Sequence, residues 1–511
     1  MSLFARKPLE LLLEEMKGEH RLRRVLGPVQ LTSLGIGAII GAGIFVATGA
    51  AAHNVAGPAL MLSYVVSGIT CIFAALCYAE FASMVPVAGS AYTYAYATLG
   101  ELFAWIIGWD LVLEYGVASA TVATGWSGYF QSIMLKAGIK LPLALQGSPW
   151  RYDPGHGLVA TGSFLNLPAV IIVVIITLIL VKGIQESATF NATMVFIKVT
   201  AVLFVIIVGV FYINKANWHP FAPYGWTGLN FFGKHIAGMA DPRGKPLGML
   251  AGAAIIFFAY IGFDSVSTHT EEAKNPQRDV PLGIVVSLVV CTILYILVVA
   301  VLTGMVKYDQ LDVSAPVSMA FKQNGIGWAE VLIAIAGVCG ITSVLLVMML
   351  SGPRVFLAMA RDGLVSKSFF ADVHPKFRTP WKSTILIGAF VIILAGFLPL
   401  DALLDLTNIG TLFAFTIVCT AVLIMRKKYP KAERPFRCPW VPFVPVMGVL
   451  ACLMLMFSLP WENWARLFVW LIIGLFIYFL YGRKHSVLAA NTLRELKEHG
   501  AGGAYKSGVE K

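Results

Sequence analysis

Charge is what this chain has least of. Only 13% of its 511 residues are Asp, Glu, Lys or Arg, against 58% hydrophobic, whereas a soluble domain carries roughly 25% charged residues. That shortage excludes an ordinary soluble fold. Cysteine is also sparse: six of the seven lie in apolar runs and Cys438 sits in a basic loop. No pair has zinc-ligand spacing and no disulfide framework is visible. The HExxH and GxSxG patterns are missing and the nine histidines are scattered, so no catalytic residue, no metal site and no cofactor is expected. The N-terminal stretch lacks an apolar core followed by a small-residue cleavage site, which argues against a secretory signal peptide. Membrane targeting then falls to the first apolar span.

Long apolar runs are what the chain has instead. Stretches long enough to cross a bilayer, about 20 residues each, fall at 28–53, 57–84, 98–128, 163–181, 189–213, 247–268, 281–305, 330–352, 383–400, 402–425, 441–460 and 464–482. The expected fold is therefore an all-α integral membrane protein with twelve transmembrane helices. The formal charge of +11 then reads as topology and contact with anionic lipid, with no nucleic-acid partner implied. With a cytoplasmic N-terminus, 27 of the 38 Lys and Arg fall in cytoplasmic segments, ten outside and Lys198 within a span. The positive-inside rule thus places both termini in the cytoplasm of a multi-pass protein of the cell membrane. Residues 1–27 space Phe4, Leu9, Leu12, Leu13 and Met16 among charges, as a surface amphipathic helix does. The Gly-rich end of the tail, 483–511, reads as disordered.

Two spans look interrupted. Span 1 carries Gly35, Gly37, Gly41 and Gly43 around its middle, and span 6 runs from Gly252 through Gly262 to Asp264. The segments 28–213 and 247–426 have nearly equal length and five spans each, so the second must be inverted; 214–246 becomes an extracellular loop and 427–482 a basic loop with two further helices. Paired interruptions in inverted halves point to a transporter's binding site. Unwound backbone costs several kcal/mol per unpaired group unless it lines a cavity or binds something. A zwitterionic amino acid satisfies both polarities. Amides of Gly41, Ala42, Gly43 and Ile44 suit its carboxylate, while carbonyls near Ile40, Phe257 and Ala259 suit its ammonium. Glycines at such places also serve tight helix packing. The run Gly35-x-Gly37-x-x-x-Gly41 has the wrong spacing for a dinucleotide fingerprint and follows no strand.

These residues carry a family resemblance. GAIIGAGIF (37–45), PVAGSAYTYAY (86–96) and FFAYIGFDSVSTHTEEAKNPQRDVP (257–281) resemble the signature segments of amino acid–polyamine–organocation superfamily permeases. With SGPRVFLAMARDGL (351–364), the resemblance is nearest to bacterial homologues of the cationic amino acid transporter family. It implies a LeuT-like fold of 5 + 5 inverted helices, with helices 1 and 6 broken and two helices added, and uptake of L-amino acids. It also implies that a helix 5 lysine occupies the place where sodium-coupled relatives bind an ion between helices 1 and 8. Lys198 would then bridge carbonyls near Gly37 to Ile40 and the helix 8 hydroxyls of Thr342 and Ser343.

Charges inside a membrane are costly and mark function by default. Lys198, about ten residues into span 5, reads as a proton-coupling site that makes transport sodium-independent; snorkelling to the surface is the bland alternative. Asp110 and Glu114 share a face of span 3 at i, i+4; Glu114, the deeper, reads as the acid facing a substrate or, equally, as a structural acid hydrogen-bonded between helices. Glu80 at the end of span 2 is expected to pair with a basic loop residue, and Asn408 to make an interhelical hydrogen bond. The expected activity is import of L-amino acids, small neutral ones such as alanine first and arginine or lysine second, driven by protons. A non-transporting amino acid sensor would keep the same pocket. The sequence carries no signal for or against an accessory subunit.

Overall fold

The computed structural model describes residues 5–7, 26–84, 90–153, 157–183, 188–232, 234–242, 244–268, 270, 273–311, 315–377 and 379–488. The expected amphipathic helix within 1–27, the start of the PVAGSAYTYAY segment, Glu271, Glu272 and the Gly-rich tail lie outside them.

The apolar runs form helices because each must satisfy its own backbone hydrogen bonds where water is absent. The principal ones are α1 (Pro28–Ile39), α2 (Leu60–Met84), α3 (Glu101–Lys136), α4 (Leu167–Lys182), α5 (Ala188–Gly209) and α6 (Met249–Ile256). They continue with α7 (Pro276–Met305), α8 (Gly327–Arg361), α9 (Trp381–Phe397), α10 (Ile409–Lys428), α11 (Phe443–Met456) and α12 (Trp461–Ile477). Among the described residues seven helical stretches are long and apolar enough to cross a membrane; the stretches of α4, α6, α9 and α11 are apolar but shorter. One of the seven, Pro28–Met84, joins α1 to α2 through short helical turns and changes direction at Gly57, whose φ of +63° suits glycine. Pro28 opens α1 at a position where its missing N–H is no loss, and Asn166 caps α4 by accepting from the Ala169 amide at 3.4 Å.

α3 and α8 pack along each other, as do α2 and α7, and α7 also lies against α1. Around them sits a contiguous buried core rich in small residues and tyrosine. The chain is not entirely helical. A hairpin of β1 (Trp150–Asp153) with β2 (Gly157–Ala160) lies between α3 and α4. Between α5 and α6, β3 (Gly228–Phe231), β4 (Lys234–Ala240) and β5 (Pro246–Leu247) form an antiparallel sheet in the order β3-β4-β5. Both lie in polar connections that hydropathy reads only as loops.

Both stretches are interrupted. α1 stops at Ile40, whose ψ of 107° is extended, and helical turns resume at Gly43. In the second stretch Gly252 stays inside α6. Its missing side chain makes room instead, because a Cβ there would fall 2.7 Å from the Ala56 Cβ. The chain leaves the helix later, through a tight turn at Phe257–Tyr260, an extended Ile261 and Gly262 at φ +122°. α10 has its own break: Leu400–Leu406 is a separate helix, and Asn408 adopts φ +92° before Ile409.

Candidate functional site

The two breaks face each other at van der Waals contact. A Cβ on Gly43 would lie 2.3 Å from the Ala259 Cα, and one on Gly262 would lie 2.7 Å from the Ala38 carbonyl oxygen. Here the glycines serve close backbone approach as much as chain reversal. Ile40, Ala42, Ile44, Phe257 and Ala259 are all buried at this meeting point, and so is Gly41, beside Val344 of α8. Phe257 stands edge-on to Phe415 of α10 with ring centroids 5.7 Å apart.

Buried hydroxyls reach the carbonyls that the breaks set free. The Tyr295 hydroxyl lies 2.7 Å from the Ile39 oxygen and 3.1 Å from the Ala259 oxygen, bridging both interruptions from α7. Tyr129 of α3 donates to the Phe45 carbonyl at 2.7 Å, and the Thr48 hydroxyl donates to that of Gly43 at 3.2 Å. Asn408 donates to the carbonyls of Ala254 and Ile255 at 3.0 and 2.9 Å, the interhelical bond expected of it. These partners hold the interrupted backbone where water would otherwise be needed. The tyrosines escaped sequence reading. The available signal was a lone Tyr in the middle of an apolar span, which needs a partner for its hydroxyl when buried.

Lys198 is fully buried, and its ammonium donates to the Gly37 carbonyl at 2.5 Å, joining α5 to α1 as expected. On α8 its aliphatic stem runs beside Gly340, where a Cβ would meet Lys198 Cγ at 3.3 Å. The expected hydroxyl partners do not take part. Thr342 donates to the Val338 carbonyl at 2.7 Å and accepts from the Trp126 indole at 2.9 Å. Ser343 turns back to the Gly340 carbonyl at 3.3 Å. A helical Ser or Thr readily bonds its own preceding turn, and that competition explains the miss.

Glu114 takes the structural of its two expected roles, bonded between helices. Its carboxylate lies 2.5 Å from Arg466 of α12 and accepts from the amides of Asn408 and Gly410 at 3.2 and 3.3 Å. It thus caps α10 at the break and already holds a counter-charge. Asp110, one turn earlier, is buried beside Gly410. Arg466 is one of the ten cations counted outside, although the span 464–482 contains it; it lies within α12, so Lys198 is not alone among cations in the helices. Hydropathy places it at the edge of a span, where a charge is unremarked. Glu80 pairs with Arg426 at 2.6 Å and with Arg434 at 3.2 Å, as expected of a span-end acid.

Apolar helices of this number and length, two of them broken against each other, define a multi-pass membrane protein built around interrupted spans. The family model for amino acid permeases matches residues 26–483. The chain is 48% identical to a branched-chain amino acid permease of Bacillus subtilis, over 95% of this chain and 99% of that protein. It is 45% identical to a methylthioribose transporter of the same organism, with the same two shares. A vacuolar cationic amino acid transporter of Arabidopsis thaliana is 32% identical over 95% of this chain and 96% of its own. The chain belongs to the amino acid permease family of the amino acid–polyamine–organocation superfamily. As an amino acid permease it is a transporter.

Proposed function

We propose that this permease imports neutral L-amino acids, from alanine to the branched aliphatic ones, by proton-coupled, sodium-independent alternating access. Five helices in each of two inverted units (28–213 and 247–426) would form the transport core, with α11 and α12 outside it and both termini in the cytoplasm. The observation that carries the substrate class is the engagement of Glu114: with Arg466 and two backbone amides already on its carboxylate, it offers no spare negative charge to a cationic side chain. The apolar surroundings of the breaks, Ile40, Ile44 and Phe257 among them, suit an uncharged aliphatic group. The names of the two bacterial relatives agree with an uncharged substrate.

Substrate would bind where the amides at 41–44 meet its carboxylate and carbonyls such as those of Ile40 and Phe257 meet its ammonium, once the Gly43–Ala259 contact parts. Lys198 supports the coupling. A cation held by a carbonyl in a water-free site can leave that site neutral by releasing its proton. Its ammonium supplies between α1 and α8 the charge that a sodium ion would otherwise bring.

Counterflow in proteoliposomes tests the reading: labelled alanine and leucine should exchange, be competed by neutral aliphatic amino acids and accumulate under an inward proton gradient without sodium. Exchange of arginine and lysine with no exchange of alanine or leucine would favour the cationic reading, which the Arabidopsis relative's name supports. Binding without any exchange would indicate a sensor.

A further inference from the structure

A cavity lies away from the breaks. About 420 Å³ in volume, it opens between α3, α8, α9 and α12, and its walls include Trp109, Leu113, Phe356, Leu386, Phe390 and Trp470. It falls within the about 300–1,000 Å³ of small-molecule pockets, but such pockets carry a few convergent polar groups to orient their ligand. This one has almost none. Leu386 is 44% exposed, so the cavity communicates with the outer face of the helices, which in a membrane is lipid.

Polarity appears only at one end. There Ser366 and Tyr481 complete the wall. The two segments that carry them are stitched together: the Val487 amide donates to the Asp362 carbonyl at 3.0 Å, and Gly482 packs against the Leu364 carbonyl. Lys367 follows Ser366, Arg483 and Lys484 follow Tyr481, and all three cations are exposed. Among the described residues no carboxylate pairs with them; the neighbouring acid Asp372 is taken by Lys382 at 2.7 Å. An apolar slot between helices that ends in unpaired cations at the membrane surface has the polarity of an anionic phospholipid.

We infer that this cavity is a binding site for one anionic phospholipid, with an acyl chain between Trp109, Phe390 and Trp470 and its phosphate against Lys367, Arg483 and Lys484. Each buried methylene contributes to retention, and the cations select the headgroup. The site is separate from the proposed substrate site, and occupancy can be read without any transport.

The experiment is native mass spectrometry of the full chain in detergent after delipidation, titrated with phosphatidylglycerol or phosphatidylcholine of identical acyl chains, alongside thermal unfolding. One phosphatidylglycerol per chain should stay bound and raise the melting temperature, with phosphatidylcholine much weaker. The surface variant Lys367→Gln/Arg483→Gln/Lys484→Gln should lose that headgroup preference, weakening phosphatidylglycerol roughly tenfold or more. Leu386→Trp, which fills the slot, should lose the retained lipid while unfolding normally without lipid. Equal binding of the two lipids by the parent chain, an unchanged preference in the triple variant, or full retention by a folded Leu386→Trp would each overturn the inference. A sterol retained in place of phosphatidylglycerol would overturn it as well.

Discussion

Lys198, fully buried, and Arg466, half-buried, are both cations held among the helices of this permease, and their surroundings are opposite. Lys198 donates to a backbone carbonyl, that of Gly37, and among the described residues no carboxylate pairs with it. Arg466 bonds Glu114 at 2.5 Å, and Asp110 lies one helical turn from that carboxylate. The first site is neutral once its proton leaves, whereas the second stays charged because guanidinium keeps its proton in proteins. The difference separates a group fit to cycle between states from a fixed clamp. The clamp ties α12, outside the two five-helix units, to α3 and to the break of α10.

Breaking the clamp should have the largest effect. Arg466→Leu leaves Glu114 buried without its counter-charge and should cost about 3–5 kcal/mol. Thermal unfolding in detergent would register the loss, and adding Glu114→Gln should recover part of it; an unaltered melting temperature in the single variant would remove the clamp. Lys198→Ala should instead fold well, keep counterflow and lose accumulation under a proton gradient. Gradient-driven accumulation equal to that of the parent chain would show that Lys198 does not couple. Gly43→Ala forces a methyl onto the Ala259 backbone and should cost about 1–3 kcal/mol, with transport falling more than stability. Tyr295→Phe leaves the Ile39 and Ala259 carbonyls without their hydroxyl, an expected loss of about 1–3 kcal/mol. Smallest should be Thr342→Val, which removes the acceptor for Trp126 at about 0.5–1.5 kcal/mol. It should leave proton dependence intact, since Thr342 does not touch Lys198. A flattened pH profile in that variant would restore it as a partner of the lysine.

Local signals were easy to read and relational ones were not. Runs of apolar residues, the break after Ile39 and the burial of Lys198 follow from composition and from the cost of unsatisfied backbone. In the second unit, Gly252 and Gly262 look alike in the sequence, because glycine serves helix packing and chain reversal alike; only the fold shows that Gly252 packs inside a helix and Gly262 lies in the break. Glu114 could be recognised as costly, but its partner lies 352 residues away, at a span edge where an arginine looks unremarkable. Thr342 and Ser343 had the right chemistry on the right helix, yet their own preceding turn claims both hydroxyls. Tyr295 carries no charge and breaks no pattern, so nothing in the chain's order marked it as the bridge between two interruptions.

The close approaches of Gly43 to Ala259 and of Gly262 to Ala38 occur at separate points where the two broken segments meet. A single contact would act as a ball joint, leaving each segment free to swivel about the other. Two contacts define an axle: sliding and twisting are blocked, and a motion that keeps both carries the broken segments as one lever.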